Sequence, residues 1–390
     1  PYLITVSHMI NDSCQSVLPA LLPLFIYTYG LSLEQAGFLI LANTALSSLL
    51  QPLLGYLSDK INQPRLIALG VLLSACSTGV MGFVTSYESL LVCATLAGVG
   101  SSIFHPEGAK IMNRLGGGKK GKAMGTFAIG GSSGFAIGPL FAGSIAYTVG
   151  PHGLAAFTVV GLIISTILFI LMPRIVAHAR TIDQAVATEN PTLVDKPLKN
   201  YWKYFGILFV IILSQSVNFR VINAFIPIFW TRELGTSPEQ GSFALTVFFS
   251  IGIFMTYIGG LLGDKYGPIK IIRLSLLIWL PAMFLLTEVP TFSPVIMMPV
   301  AYLLLLMIGA AKAISYSPVI VLGQTYLAKS IGFASGITLG VSQTIGGIIA
   351  PVVGNLADTY TLPIAMMTLV PFLVMGLGAS LILKDPKKLQ

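Results

Sequence analysis

Hydrophobic residues occur along the whole chain in runs of about 20 or more, and short polar segments separate these runs. A helical run of that length matches the hydrocarbon core of a bilayer, which is roughly 30 Å thick. The pattern therefore predicts an all-α integral membrane protein with twelve transmembrane helices. The predicted spans lie near residues 3–29, 36–57, 66–86, 89–111, 123–149, 153–173, 203–230, 240–263, 269–287, 294–323, 331–357 and 362–383.

The polar connections between these spans alternate in charge. One set is basic, and the other is acidic, with Arg232 as its only basic residue. Because positively charged connections face the cytoplasm, an even number of spans places both termini in the cytoplasm. The basic set contains Lys60, Arg65, Arg114, Lys119, Lys120, Lys122, Arg174, Arg180, Lys196, Lys199, Lys265, Lys270, Arg273, Lys329, Lys384, Lys387 and Lys388, and the acidic set contains Glu34, Glu88, Glu233, Glu239, Glu288 and Asp358.

The composition agrees with this topology. Hydrophobic residues make up 55% of the 390 positions and charged residues only 9%, whereas a soluble domain has roughly 25% charged residues. The net charge of +8 follows from the cytoplasmic connections, so we expect the lipid bilayer as a partner and no nucleic acid. We also expect a monomer. Because the sequence begins at Pro1 rather than methionine, we expect that its extreme N-terminus is missing.

Motifs for enzyme chemistry are absent from the sequence. It has no nucleotide-binding glycine loop, no nucleophile elbow and no HExxH metal spacing. Cys14, Cys76 and Cys93 lie inside apolar runs without CxxC spacing, so we expect buried thiols and no disulfide. These observations predict a protein that is not an enzyme, with no cofactor and no metal.

The sequence divides into two similar halves on either side of a polar stretch. "GYLSDKINQPR" at 55–65 aligns with "GLLGDKYGPIK" at 260–270, and in each half two later prolines are 33 positions apart. Such a repeat predicts two pseudo-symmetric six-helix bundles, with a substrate site between them near mid-membrane. The predicted domains are residues 1–173, a cytoplasmic linker at 174–202, and residues 203–390. The linker is read as flexible or helical at the surface, with a regulatory site as the alternative.

At these positions the chain resembles the major facilitator superfamily. The family's loop motif is matched by Gly55, Leu57, Asp59, Lys60 and Arg65, although the residues at 62–64 depart from it. The second copy retains Asp264 and Lys265. The resemblance implies the major facilitator fold and a charged latch that closes the cytoplasmic side of the outward-facing state. The alternative is that these are ordinary topology charges.

A second family motif is found in span five, "GTFAIGGSSGFAIGPLFAG" at 125–143. Gly125, Gly134, Gly138 and Pro139 have the spacing of the antiporter signature. Glycines four residues apart allow another helix to approach closely, and a proline bends the span. The resemblance implies an exporter, and generic packing of small residues is the alternative.

More specifically, three strings resemble the fosmidomycin-resistance family. They are "SHMINDSCQSVLPALLP", "SSLLQPLLGYLSDK" and "GVGSSIFHPEGAK", and they occur in the family's order and spans. The resemblance implies proton-coupled efflux, by alternating access, of a small anionic or amphipathic compound such as a phosphonate-type antibiotic across the bacterial inner membrane. An importer or uniporter of a small organic anion on the same fold is the alternative.

Six ionisable residues fall inside the predicted spans, where each is costly and is a functional candidate. They lie in spans one, four, seven and ten, which line the central cavity in the superfamily. We assign proton coupling to the acidic and imidazole groups of the first half and substrate binding to the cations of the second half, with polar neighbours. The proton-coupling set is Asp12, Glu107, His8 and His105, and the substrate-binding set is Arg220, Lys312, Asn11, Gln15, Asn223 and Tyr316.

Each assignment has a structural alternative. Glu107 could simply pair with Lys110, three residues further along the chain. Asp12 could serve as a helix-packing hydrogen-bond acceptor, and the two histidines could make structural hydrogen bonds. Arg220 and Lys312 could be counter-ions for the two carboxylates, which is compatible with a role in substrate binding.

Overall fold

The structure is a computed structural model that describes residues 1–61, 63–117, 120–189, 199–330, 334 and 337–386. Within these residues the regular elements are helices, together with one isolated β-bridge between Asn200 and Leu327. A π-helix occupies Ile337–Val341. The α-helices are α1 (Tyr2–Ala20), α2 (Leu22–Tyr29), α3 (Leu33–Ile61), α4 (Leu66–Val80), α5 (Tyr87–Leu115), α6 (Lys120–Thr148), α7 (Ala155–Glu189), α8 (Trp202–Arg232), α9 (Pro238–Tyr266), α10 (Pro268–Glu288), α11 (Pro294–Ile314), α12 (Tyr316–Tyr326), α13 (Ser342–Thr359), α14 (Leu362–Met367) and α15 (Leu369–Ile382).

Nine helical segments in the described part of the chain are long and apolar enough to cross a membrane. A tenth is the pair α1 and α2, which is bent by 47° at the break between them. The two other predicted spans correspond to α4, which is shorter, and to the π-helix followed by α13. Each predicted span therefore contains a helix, and the prediction of an all-α membrane protein is confirmed.

Two of the spans are broken, each shortly before a proline. Leu21 separates α1 from α2, and Ser315 separates α11 from α12. Proline has no N–H to donate, so Pro23 and Pro318 cannot close the hydrogen bond to the carbonyl four residues earlier. In the second case that carbonyl belongs to Ile314, the last residue of α11. The apolar run continues through both breaks, which is why the sequence predicted each span as a single helix.

The start of α3 is held by the end of α13. The Asp358 carboxylate accepts hydrogen bonds from the backbone N–H groups of Leu33 and Glu34, both at 2.9 Å. Asn355 donates to the Glu34 carboxylate, also at 2.9 Å. Because the first N–H groups of a helix have no partner within it, an acidic side chain at this position both satisfies them and is favoured by the helix dipole.

The chain forms two compact units. The first comprises Pro1–Leu18 and Ala42–Lys196, and the second comprises Pro19–Leu41 and Pro197–Gln390. Buried aliphatic and aromatic residues form the core of the first unit, among them Phe104, Phe127 and Met172. The largest fully buried side chains of the second include Trp230 and Trp279.

The division into domains at 1–173, 174–202 and 203–390 stays a prediction. In the structure α7 continues to Glu189, so the first part of the predicted linker is helical. The hydrophobic pattern placed the end of this span at residue 173, where the apolar run stops. Residues 190–198 of the linker lie outside the described part of the chain.

Candidate functional sites

Three ionisable side chains form a cluster in the first unit. His8 and Asp12 lie one turn apart on α1, and His105 approaches them from α5. The His8 Nε2 is 3.1 Å from Asp12 Oδ2, the His105 Nε2 is 3.3 Å from Asp12 Oδ1, and the two Nε2 atoms are 3.2 Å apart. The carboxylate of Asp12 therefore faces both imidazoles. We refer to these three residues as the His–Asp–His cluster.

Backbone carbonyls fix how the two imidazoles can carry protons. His8 Nδ1 is 2.7 Å from the Phe127 carbonyl oxygen, and His105 Nδ1 is 2.9 Å from that of Ser101. A carbonyl only accepts, so both contacts favour a hydrogen on Nδ1, although the Ser101 hydroxyl also lies 3.1 Å from His105 Nδ1. In a neutral imidazole the Nε2 atom then has only a lone pair, and here two such atoms and a carboxylate face one another. Any proton that binds among them is shared by several acceptors.

Glycines of α6 allow α1 to approach closely enough to form this cluster. A methyl group at Gly131 would lie 2.7 Å from Asp12 Oδ2 and from His8 Nε2, and one at Gly134 would overlap the Met9 carbonyl oxygen. A methyl group at Gly138 would overlap the Ser16 hydroxyl. Two glycines of the predicted antiporter motif thus have a packing role against α1. The third, Gly125, has no atom of a described residue within 4 Å of such a methyl group.

Polar and aromatic neighbours hold the cluster in place. Asn11 donates to Asp12 Oδ1 at 3.0 Å and to the Ser101 hydroxyl at 3.3 Å, and it accepts from Ser74 at 3.0 Å. The ring of His8 stacks on Phe127 with 3.9 Å between the ring centres. Asn11 thus joins α1 to α4 and α5 and contacts the carboxylate directly.

The predicted substrate residue Gln15 also makes its contact within the first unit. It is buried, and its amide donates to the Ala97 carbonyl at 2.9 Å. This bond and those of Asn11 tie α1 to its neighbours, so the geometry gives both residues a positioning role. Their predicted contact with substrate remains a prediction.

Glu107 is buried but lies outside the His–Asp–His cluster. Its Oε2 is 3.9 Å from Lys110 Nζ, which is the pairing that sequence analysis gave as the alternative. The distance is near the limit for an ion pair. Within the cluster the ligand atoms lie within 4.8 Å of one another, a spacing that a metal ion could also bridge, although the sequence predicted no metal.

Two cations of the second unit share one aromatic ring. The guanidinium carbon of Arg220 lies 5.7 Å from the centre of the Phe219 ring, and the Lys312 amine lies 5.2 Å from the same centre. The amine is also 5.2 Å from the Tyr316 ring centre. Among the residues that the structure describes, no carboxylate lies within ion-pair distance of the Lys312 amine. Two like charges held near one another favour the binding of an anion.

Neutral residues near Lys312 were missed by sequence analysis. Gln215 is 5% exposed, and its Oε1 accepts from the Ser315 hydroxyl at 3.3 Å. Both residues border the lysine, yet neither carries a charge or belongs to a family motif. Asn223, which was predicted, is buried with its Oδ1 unpartnered among the described residues, and Tyr316 is partly exposed.

The predicted latch residues are only partly described. The Arg65 guanidinium lies 4.7 Å from the centre of the Phe169 ring, and the Lys265 amine lies 5.0 Å from that of Tyr266. Asp264 is exposed at the end of α9. The side chains of Gly55, Asp59 and Lys60 lie outside the described part of the chain, so the latch stays a prediction.

Comparisons with known proteins agree on one family. The model of the Major Facilitator Superfamily matches residues 4–351 and 205–389. The MFS-type transporter YfnC of Bacillus subtilis is 30% identical over 388 residues, which cover 99% of this chain and 93% of that protein. The fosmidomycin resistance protein of Escherichia coli is 29% identical over 356 residues, covering 91% and 85% respectively.

Solved structures show the same fold at low sequence identity. A bacterial homolog of the human lysosomal transporter Spinster, in an inward-facing and occupied conformation, has a TM-score of 0.76 at 17% identity and covers 98% of this chain and 95% of its own. A D-xylose-proton symporter has a TM-score of 0.76 at 16% identity, with 98% and 96% covered.

Proposed function

This chain belongs to the major facilitator superfamily, and from that membership we propose that it exports a small anionic compound across the bacterial inner membrane in exchange for protons. The protein is a multi-pass membrane transporter and not an enzyme. The observation that carries the proton coupling is the His–Asp–His cluster, in which three proton acceptors meet at 3.1–3.3 Å. In this proposal both termini are cytoplasmic.

The cluster suits reversible proton binding for a physical reason. With one proton present, the Asp12 carboxylate and the two imidazoles share it through hydrogen bonds, and the cluster as a whole is neutral. Without it, the Nε2 lone pairs of His8 and His105 and the carboxylate repel one another across about 3 Å, because all three are acceptors. Loss of the proton therefore favours separation of α1 from α5. Protonation is in this way coupled to how these two helices pack.

The proposal gives Glu107 a secondary role in proton coupling. Because it is buried, a charge on it is costly unless Lys110 compensates at 3.9 Å. His8, Asp12 and His105 form the primary proton site.

The cations of the second unit support an anionic substrate. Arg220 offers a planar guanidinium that can bind two oxygens at once, and Lys312 adds a compact ammonium group. Both pack on the ring of Phe219. A substrate with a doubly charged head group, such as a phosphonate, matches this pair. Export rather than import is supported by the antiporter motif and by the similarity to a fosmidomycin resistance protein.

Asp12→Asn tests the proposal in everted membrane vesicles with an acidic interior. The probe is labelled fosmidomycin, and the buffer contains EDTA so that no metal ion occupies the cluster. We expect wild-type vesicles to accumulate the probe and Asp12→Asn vesicles to lose at least about 90% of that uptake, because the variant has no carboxylate to protonate. Glu239→Gln, which changes an exposed carboxylate outside the proton site and the predicted latch, should retain wild-type uptake.

Two results would contradict the proposal. Uptake driven by the proton gradient that persists in Asp12→Asn with its pH dependence unchanged would remove the cluster from the mechanism. Accumulation in right-side-out vesicles, with no uptake in everted ones, would instead identify an importer or uniporter of an organic anion.

A further inference from the structure

A small cavity in the second unit lies beside Lys312. Its volume is about 30 Å³, and its lining includes Gln215, Lys312, Tyr316 and Thr338. A site needs roughly 10–15 Å³ of such space for one water molecule, so this cavity admits about two oxygen-sized atoms. It can hold part of a polar head group but not a whole drug-sized molecule.

An unpartnered hydrogen-bond donor belongs to this cavity lining. Gln215 is 5% exposed, its Oε1 accepts from Ser315 at 3.3 Å, and its Nε2 has no hydrogen-bond partner among the described residues. A buried amide without an acceptor is unfavourable. The Ser315 hydroxyl lies 3.3 Å from Oε1 and 3.1 Å from the Lys312 carbonyl oxygen, and in this orientation of the amide the nitrogen is left to donate elsewhere. A water molecule or a substrate oxygen in the cavity would satisfy this donor.

The charge beside this donor is positive. The Lys312 amine lies over the rings of Phe219 and Tyr316, at 5.2 Å from each centre. No carboxylate that the structure describes is within ion-pair distance of it. Thr338 donates its own hydroxyl hydrogen to the Ala334 carbonyl at 2.7 Å. An amide N–H and an ammonium group therefore border the same space, and an anionic oxygen complements both.

The cavity also lies where two helices depart from regular geometry. Ser315 is the residue at which α11 ends and α12 begins, and Thr338 belongs to the π-helix Ile337–Val341. Single π-helical turns are rare in proteins, and those that do occur are often found at functional sites. The break gives Ser315 its position next to Gln215, and the π-helix brings Thr338 to the cavity.

We propose that Gln215 determines substrate specificity by donating a hydrogen bond from Nε2 to an oxyanion head group whose charge is balanced by Lys312. The head group is a phosphonate or a related tetrahedral oxyanion. Its several oxygens can accept from Gln215 and Lys312 together, and its double negative charge matches the two cations that share the Phe219 ring. This inference rests on the proposed function, since it deals with the substrate of that same transporter.

The test uses full-length protein purified in detergent. Binding of labelled fosmidomycin is measured for the wild type and for Gln215→Met, which keeps the length of the side chain but removes its donor. A hydrogen bond to a charged group predicts a loss of affinity of about tenfold or more. Displacement by methylphosphonate and by acetate is measured in parallel, and the variant should discriminate less between these two competitors than the wild type does.

Ser315→Ala serves as the second variant because it removes the hydroxyl that orients the amide. It should lower affinity in the same direction by a smaller factor. Should Gln215→Met fail to fold, Ser315→Ala and the two competitors still decide the matter. If either folded variant has the affinity and the discrimination of the wild type, the assignment of Gln215 is overturned. The proposed function still stands in that case, provided that the wild type binds fosmidomycin. If the wild type itself neither binds nor exports fosmidomycin, both proposals fail.

Discussion

At the level of single residues, sequence spacing predicted that two of the three residues in the His–Asp–His cluster lie together. His8 and Asp12 are four residues apart in a helix and must share a face. His105 is 97 positions from His8, and only the packing of α5 against α1 brings them together. The resemblance to a family placed the helices of both residues at one cavity, but it did not show that the two imidazoles face the same carboxylate. Glu107 was predicted as a proton-coupling residue together with Asp12; its carboxylate is buried 3.9 Å from the Lys110 amine, and its role stays a prediction.

His105→Gln should flatten the pH dependence of transport. Glutamine retains a polar side chain but cannot bind a proton between about pH 5 and 8, where histidine titrates. We expect an exchange rate that is nearly constant over this range and, in the acidic part of it, at least about tenfold below that of the wild type. The measurement is the initial rate of fosmidomycin exchange in proteoliposomes as a function of pH.

His152→Gln provides the matched control for that experiment. His152 is exposed and contacts the edge of Phe83, with 4.9 Å between the ring centres. It lies in a turn between helices rather than in the cluster. Its replacement should leave the pH profile unchanged, and an equal effect of both substitutions would argue against a special role for His105.

At the level of helices, the sequence predicted which segments cross the membrane but not how closely they pack. Hydrophobic runs determine span positions because a bilayer accepts only long apolar helices. The antiporter motif predicted close approach without naming the partner helix, and the structure identifies that partner as α1. Asp358 was predicted only as an acidic topology charge. It caps the start of α3 through Leu33, which is 325 positions away in the sequence, and no local sequence pattern encodes such a contact.

Gly134→Ala and Gly125→Ala should differ sharply although both glycines belong to the same motif. A methyl group at Gly134 overlaps the Met9 carbonyl oxygen and lies 2.9 Å from the Ser13 nitrogen, so α1 must move. Overpacking of this kind costs about 1–3 kcal/mol. In Gly125→Ala the new methyl group meets no atom of the described residues within 4 Å, so the variant should be neutral or stabilising by up to about 1 kcal/mol. Two measurements compare the variants: thermal unfolding in detergent, and proton-driven transport in proteoliposomes.

Asp358→Ala should weaken the start of α3. The substitution removes both 2.9 Å bonds to the backbone N–H groups of Leu33 and Glu34. Loss of a capping side chain costs about 1 kcal/mol, so the thermal midpoint should fall by a few degrees. Asp358→Asn keeps an acceptor and should lie between the alanine variant and the wild type. Equal midpoints for all three proteins would show that the contact contributes nothing.

For the whole molecule, the repeat in the sequence predicted two similar halves. The buried ionisable groups of the two units nevertheless differ in kind. The first unit holds the carboxylate and imidazoles of the His–Asp–His cluster, and the second holds Arg220 and Lys312. This separation of sign was visible in the sequence, because the charges are few and each lies within an apolar run. The role of Gln215 was not visible in the sequence, because no pattern distinguishes a functional uncharged residue in a span from one that only packs against its neighbours.

The separation predicts that proton coupling and substrate binding can be removed independently. Asp12→Asn should bind labelled fosmidomycin with an affinity within about threefold of the wild type, because the proposal assigns the anion to Arg220 and Lys312 of the second unit. Its transport should nevertheless no longer respond to a proton gradient. Lys312→Gln should lose about tenfold or more in affinity, because an ammonium group no longer balances the anion. Equilibrium binding and gradient-driven transport, measured on the same preparations, distinguish the two defects. If Asp12→Asn lost binding to the same extent as Lys312→Gln, the proton and the substrate would depend on one shared site, and the division of roles between the units would be wrong.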